Sequence, residues 1–119
     1  MWSNEMTEFE EFRRNLFEHH YIVNYEFSLD ELSGPVPYYN AVLTLSDSES
    51  VYGDLLKVKL INISDLKMHS PHIGMCGDFD ITDVKSRQME HVHYLFEDYE
   101  TGYFRCYCEK VECGSYVFT

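Results

Sequence analysis

The sequence has few basic residues and lacks the signatures of membrane and secreted proteins. Nine Lys and Arg residues stand against 21 Asp and Glu residues, which gives a formal charge of −12. So negative a chain repels nucleic acid and anionic membrane surfaces, and it favours a cationic partner by accelerating encounter. No apolar run approaches the roughly 18 residues of a membrane span, and the first residues do not resemble a secretory signal. We therefore expect a cytoplasmic protein that binds neither nucleic acid nor membrane.

The motifs of common catalytic sites are also missing. The sequence contains no GxSxG motif, no phosphate-binding glycine loop and no CxxC pair. Pairs of carboxylates, as glycoside hydrolysis requires, arise by chance in a chain with 21 acids. Cys76 follows a glycine-containing turn near His72, but acidic surroundings disfavour the thiolate that a nucleophile needs. We expect neither catalysis nor a cofactor.

Histidines and one cysteine form an alternative candidate site. Imidazole nitrogen and thiolate sulfur are ligands that suit zinc, but the short fixed spacings of structural zinc sites are absent. A small metal- or ligand-binding domain therefore remains an alternative function, and a structural component of a larger assembly is another. The candidate ligands are His69, His72, Cys76, His91 and His93.

The composition predicts one folded domain over residues 1–119. Hydrophobic residues make up 45% of the chain and aromatic residues 16%, which provides apolar surface to offset the entropy of ordering. Thr7 followed by Glu10 forms a capping box, and Phe9, Phe12 and Leu16 recur on one helical face. The pattern predicts a helix over about residues 5 to 18.

Alternating apolar residues after the helix predict strands. The segments begin with residues 21–27 and end with the run from Phe104 to Cys108, and only the segment from Ile61 to Met75 is less regular. The first two segments are predicted to form a hairpin across a loop that contains Pro35 and Pro37. The fold class is therefore α+β, with an N-terminal helix and a mostly antiparallel sheet or sandwich of about six strands.

Acidic side chains and tyrosines share the exposed faces of the last predicted strands, in residues 77–119. Tyrosine offers a wide contact area at little cost in side-chain entropy, and carboxylates suit the Lys and Arg residues of a cationic protein. The pattern favours a protein-binding patch, although half-buried tyrosines and merely solvating acids would give the same pattern. The candidate residues are Glu97, Asp98, Tyr99, Glu100, Tyr103, Tyr107 and Glu109.

A family resemblance rests on three parts of the chain. They are LFEHHYIVNYEF (16–27), LLKVKLINISDLKM (55–68) and the ending ITDV, YLFEDYE and FRCYCEKVEC (81–84, 94–100 and 104–113). Their order resembles the small β-rich immunity proteins of bacterial polymorphic toxin systems. The resemblance implies a cytoplasmic protein that binds and inhibits a cognate toxin, often a nuclease, and has no chemistry of its own. A basic nuclease cleft would suit the charge of −12.

Overall fold

The computed structural model describes residues 7–30, 38–48, 52–68, 78–99, 102 and 104–119. These residues form a helix, α1 (Glu8–Glu18), a short 3-10 turn (Lys85–Arg87) and nine strands. The strands are β1 (Tyr21–Asp30), β2 (Tyr38–Ser46), β3 (Leu55–Ile61), β4 (Ser64–Met68), β5 (Phe79–Asp83), β6 (Tyr94–Asp98), β7 (Phe104–Cys108), β8 (Lys110–Cys113) and β9 (Tyr116–Phe118). The predicted α+β class, with one helix ahead of antiparallel strands, is confirmed.

The helix α1 begins at the predicted capping box. Thr7 Oγ1 accepts a hydrogen bond from the Glu10 amide at 3.2 Å, and Glu10 Oε2 accepts one from the Thr7 amide at 3.1 Å. Both amides would otherwise lack a partner within the helix, so the cap fixes its start at Glu8 and not near residue 5. Phe12 and Leu16 are fully buried on one face. Among the described residues, no helix is long and apolar enough to cross a membrane.

The strands form two antiparallel sheets. Sheet A has the order β1-β2-β3-β8-β9, and sheet B has the order β4-β7-β6-β5. The predicted hairpin between β1 and β2 is confirmed, but a bulge between Ile22 and Asn24 shifts its register. Because a shift of one residue exchanges the two faces of a strand, Ile22 joins Tyr25 against the core. Phe27 shares a face with Tyr25 but is exposed.

A two-stranded ribbon runs through both sheets and joins them. The facing pairs on either side of its bend are Ile61–Lys110 in sheet A and Ser64–Tyr107 in sheet B, so the register is unchanged across the bend. Asn62 lies at the bend with a φ of 57°, a left-handed conformation that asparagine adopts more readily than most residues. Its amide donates to Oδ1 of the buried Asn40 at 3.1 Å, which fixes the bend against β2.

Both sheets and the helix contribute to one hydrophobic cluster. Its buried members are Phe12, Leu16, Ala41, Leu43, Leu45, Val58, Leu60, Phe79, Ile81, Tyr94, Phe96, Phe104, Cys106, Cys108, Val111 and Cys113. The helix contacts β9 in sheet A and β5 in sheet B. Each is the outermost strand of its sheet, and both lie on the same side of the ribbon. Phe9 and Phe12 lie against Phe118 of β9, with ring centroids 5.3 and 5.5 Å away.

The described residues contain nine strands where the sequence predicts about six. The segment from Ile61 was predicted to be irregular. The structure gives the reason, because a register shift between Ser64 and Lys67 interrupts the alternation of β4. The last predicted strand, which ends at Cys113, is divided into β7 and β8, and β9 follows it as a strand that the sequence did not predict. The chain passes from sheet B to sheet A at Glu109 and turns back at Gly114, whose φ is 58°.

Candidate protein-binding surface

A row of charged side chains crosses all four strands of sheet B. Lys67 of β4 faces Arg105 of β7, Arg105 faces Glu97 of β6, and Glu97 faces Asp80 of β5. Facing residues of antiparallel strands project from the same side of a sheet. Arg13 of α1 reaches the end of the row and contacts Asp80. We call these residues the charge row; it contains two cations, then two carboxylates, then a third cation.

Each carboxylate of the charge row has an arginine partner. Arg13 donates from Nε and Nη2 to the two oxygens of Asp80, at 2.8 and 2.7 Å. Burial of Asp80 opposes its ionisation, but hydrogen bonds from Arg13 and the Ile81 amide outweigh burial and lower its pKa. Glu97 lies 3.4 Å from Nε of Arg105. The surface around the row is therefore less negative than the net charge of the chain suggests.

Tyr107 of β7 lies beside the charge row and is contacted by two arginines. Nη2 of Arg105 donates to the Tyr107 hydroxyl at 3.1 Å, and Nη1 of Arg87 donates to the same oxygen at 3.4 Å. The guanidinium of Arg105 also lies over the Tyr107 ring, 5.2 Å from its centroid. Tyr107 is thus held in place by contacts from two parts of the chain.

The connection between β5 and β6, residues 84–93, folds back over this side of sheet B. Val84 donates its amide to the His93 carbonyl at 2.8 Å, which closes the connection at its base. Within it, Arg87 contacts Tyr107, and His91 Nδ1 is hydrogen-bonded to the Glu109 carboxylate. The hydrogen bond with Glu109 raises the pKa of His91, and the nearby carboxylate of Glu90 raises it further.

The structure separates the predicted patch residues into three groups. Glu97, Tyr107 and Glu109 lie near one another on the outer side of sheet B and have the contacts described above. Tyr99 follows β6 with 54% of its surface exposed, whereas Asp98 is only 2% exposed and has little surface to offer a partner. Glu100 and Tyr103 lie outside the described residues.

Comparison with known families assigns the chain to one of them. A family model described as "Immunity protein PIM8" matches residues 4–113, which include α1 and β1 to β8. The chain belongs to the PIM8 immunity protein family. The resemblance to β-rich immunity proteins is thereby confirmed. Searches of curated proteins and of solved structures returned no match.

In this PIM8 family member, the structure describes only some of the alternative metal ligands. His69, His72 and Cys76 lie outside the described residues. Within the described ranges, no group of three or more His, Cys, Asp and Glu side chains is arranged to hold a metal ion. His91 is engaged by two carboxylates, and His93 borders a cavity of about 290 Å³ with its buried Nδ1 lacking a hydrogen-bond partner in the described structure.

Sequence reasoning missed the basic residues of this PIM8 surface. Alternation places Arg105 on the exposed face of the last long strand, but its pairing with Glu97 depends on the register between β6 and β7. Lys67 lies on the bulged strand whose alternation is broken. Arg87 lies in a connection with no periodicity, so the sequence carried no signal that it reaches Tyr107.

Proposed function

We propose that this PIM8 family protein binds a cognate toxin with fixed stoichiometry and neutralises it in the cytoplasm. The observation that carries the proposal is the family match over residues 4–113. Immunity by association needs a stable surface of sufficient area and no reaction chemistry. A bent pair of sheets, closed by a helix, provides such a surface.

The net charge supports a cationic toxin as the partner. A chain of −12 creates a negative field that speeds the approach of a basic protein and disfavours other acidic proteins. A nuclease that presents a basic cleft for phosphate would meet this requirement. Because exposed charges are screened beyond about 10 Å at 0.1 M salt, the association rate should depend on ionic strength.

The outer side of sheet B and the chain that follows β6 form the proposed contact surface. Glu97, Tyr107 and Glu109 are partly exposed there, and Tyr99 is the most exposed of the described candidates. Glu100 and Tyr103 are proposed contacts from the sequence alone. Asp98 contributes to the surface indirectly, because its carbonyl accepts a hydrogen bond from Gly102 at 2.8 Å in the turn between β6 and β7.

The chemistry of the described thiols supports a role without catalysis. Burial raises the pKa of Cys106 to about 12 and that of Cys113 to about 11. Cys108 is also buried, and its pKa is raised by burial and by the neighbouring Cys106. A thiol with so high a pKa stays protonated at neutral pH and is a poor nucleophile.

The proposal is tested with a candidate toxin, sought among the products of the genes that neighbour the gene of this chain. Purified chain and toxin should elute as a complex of fixed composition, and toxin activity should fall linearly to zero as the ratio of chain to toxin reaches that of the complex. Full protection at a small fraction of that ratio would indicate turnover and would contradict a stoichiometric inhibitor. Normal toxicity in cells that express both proteins would contradict the immunity function itself.

A further inference from the structure

Two guanidinium groups converge on one phenol oxygen at the surface of sheet B. Arg87 comes from the connection between β5 and β6, Arg105 comes from β7, and both donate to the Tyr107 hydroxyl, at 3.4 and 3.1 Å. Like charges brought together repel each other unless an anion lies between them or beside them. The two guanidinium groups therefore need a negative group nearby to offset their mutual repulsion.

The described carboxylates compensate only part of this positive charge. Glu97 lies 3.4 Å from Nε of Arg105, which leaves Arg87 with no carboxylate of the described residues within 4.0 Å. Lys67 faces Arg105 from β4, and it too has no such partner in that part of the chain. Arg87 and Lys67 are thus left without a described carboxylate partner on a side of sheet B where Glu97 pairs with Arg105, although the net charge of the chain is −12.

The hydrogen-bond donors at this position suit an oxyanion. Arg87 is exposed, and of its guanidinium nitrogens only Nη1 contacts Tyr107, so the remaining N–H groups are directed elsewhere. The Tyr107 oxygen accepts from both arginines, and its own O–H is left to donate. A guanidinium fork and a phenol O–H together match the two oxygens of a carboxylate.

We propose that Arg87, Arg105 and Tyr107 form a receptor for a single acidic side chain, Asp or Glu, of the protein partner. This inference rests on the proposed function and deepens it, because it adds a contact of opposite sign to an otherwise acidic surface. A lone carboxylate on a basic toxin can dock here, whereas a polyanion is repelled by the rest of the chain. The receptor would fix the orientation of the bound toxin, since a partner without a carboxylate at this position leaves Arg87 without an anionic partner.

The receptor can be tested first without the toxin. The probe is glutamate blocked as its N-acetyl and N-methylamide derivative, titrated at constant ionic strength while the Nε–Hε signals of Arg87 and Arg105 are followed by NMR. Saturable shifts of both signals are expected. Arg87→Gln should weaken binding of the probe at least tenfold, and Tyr107→Phe should weaken it about threefold. Arg14→Gln, a matched change of an exposed arginine on α1, should leave it unchanged.

Two outcomes of the titration would overturn the receptor. One is the absence of saturable shifts at the two arginines, and the other is equal weakening by Arg87→Gln and Arg14→Gln. Inorganic phosphate serves as the second probe. Binding of phosphate at least tenfold tighter than the glutamate derivative would identify a phosphate site and would overturn the assignment to a side-chain carboxylate.

The toxin complex then separates this inference from the proposed function. Arg87→Gln should accelerate dissociation of the complex at least tenfold relative to Arg14→Gln, since loss of a buried charge contact acts mainly on the dissociation rate. An unchanged dissociation rate, with the toxin still neutralised, would overturn the receptor and leave the proposed function standing. Failure of the unaltered chain to bind the toxin would overturn the proposed function, and the probe titration would show whether the carboxylate site itself exists.

Discussion

Arg13 of the helix and Asp80 of β5 form an ion pair with two parallel hydrogen bonds, at 2.8 and 2.7 Å, that ties α1 to the edge of sheet B. We expect Asp80→Asn to lower the free energy of unfolding by about 1 kcal/mol at neutral pH, because the pair is partly exposed and partly screened. Urea unfolding measures this difference. Arg14→Gln, which alters an exposed arginine next to Arg13, is the control and should have no effect.

The contribution of Asp80 should also depend on pH. Its pKa is lowered in the folded chain, so the stabilisation is complete above the unfolded-state pKa of about 3.9 and is lost as the pH falls through the lower folded-state value. The difference in stability between the unaltered chain and Asp80→Asn should therefore shrink below about pH 4. A difference that stays constant down to pH 2 would show that the charge of Asp80 is not responsible.

His91 should titrate above its ordinary pKa of about 6.5, because its Nδ1 is hydrogen-bonded to the carboxylate of Glu109. NMR titration of the imidazole should show that Glu109→Gln lowers the pKa of His91 more than Glu90→Gln does. Protonation of the ring strengthens the contact with the Glu109 carboxylate. Its contribution to stability is therefore present below about pH 6.5 and is lost as the pH rises through the folded-state pKa. Equal shifts in the two variants would contradict the assignment of Glu109 as the main partner.

Local chemistry made part of the fold predictable from the sequence. The capping box located the start of α1 because a hydroxyl and a carboxylate three residues apart satisfy specific amides. Alternation identified Phe104, Cys106 and Cys108 as buried because the side chains of a strand alternate between its two faces. The same alternation that buries Phe96 also turns Asp98 inward, a consequence that the predicted acidic patch did not take into account.

The charge row was beyond local reasoning because it depends on strand pairing. Arg105 and Glu97 are eight residues apart in sequence and become neighbours only through the register of β6 and β7. Asp80 finds Arg13 across 67 residues. The net charge of the chain could be counted from the sequence, but which acids are neutralised by neighbouring arginines is determined by the tertiary structure. The predicted acidic patch is therefore smaller than the sequence indicates, and basic residues lie beside Tyr107.

The thiols of Cys106, Cys108 and Cys113 should react with Ellman's reagent only when the chain opens. All three are buried, and burial raises the pKa of each. A Cys76→Ser variant removes the remaining cysteine from the measurement. We expect this variant to react slowly in buffer and to show rapid reaction of three thiols in denaturant. Rapid reaction of any of the three in the folded chain would contradict their burial.

Charge reversal at Glu100, which follows β6 in the sequence and lies outside the described residues, should slow association with the toxin through the local field. Glu100→Lys is expected to reduce the association rate roughly threefold to tenfold at low salt, with the effect fading as ionic strength rises. Glu26→Lys changes the net charge equally but lies on β1 of sheet A, so it reports the effect of net charge alone. Asp98 is unsuitable for this comparison because a lysine at so buried a position would also perturb the fold. Stopped-flow measurements across a salt series distinguish the cases: equal slowing by both variants would mean that the association rate responds only to net charge and would contradict Glu100 as part of the contact surface.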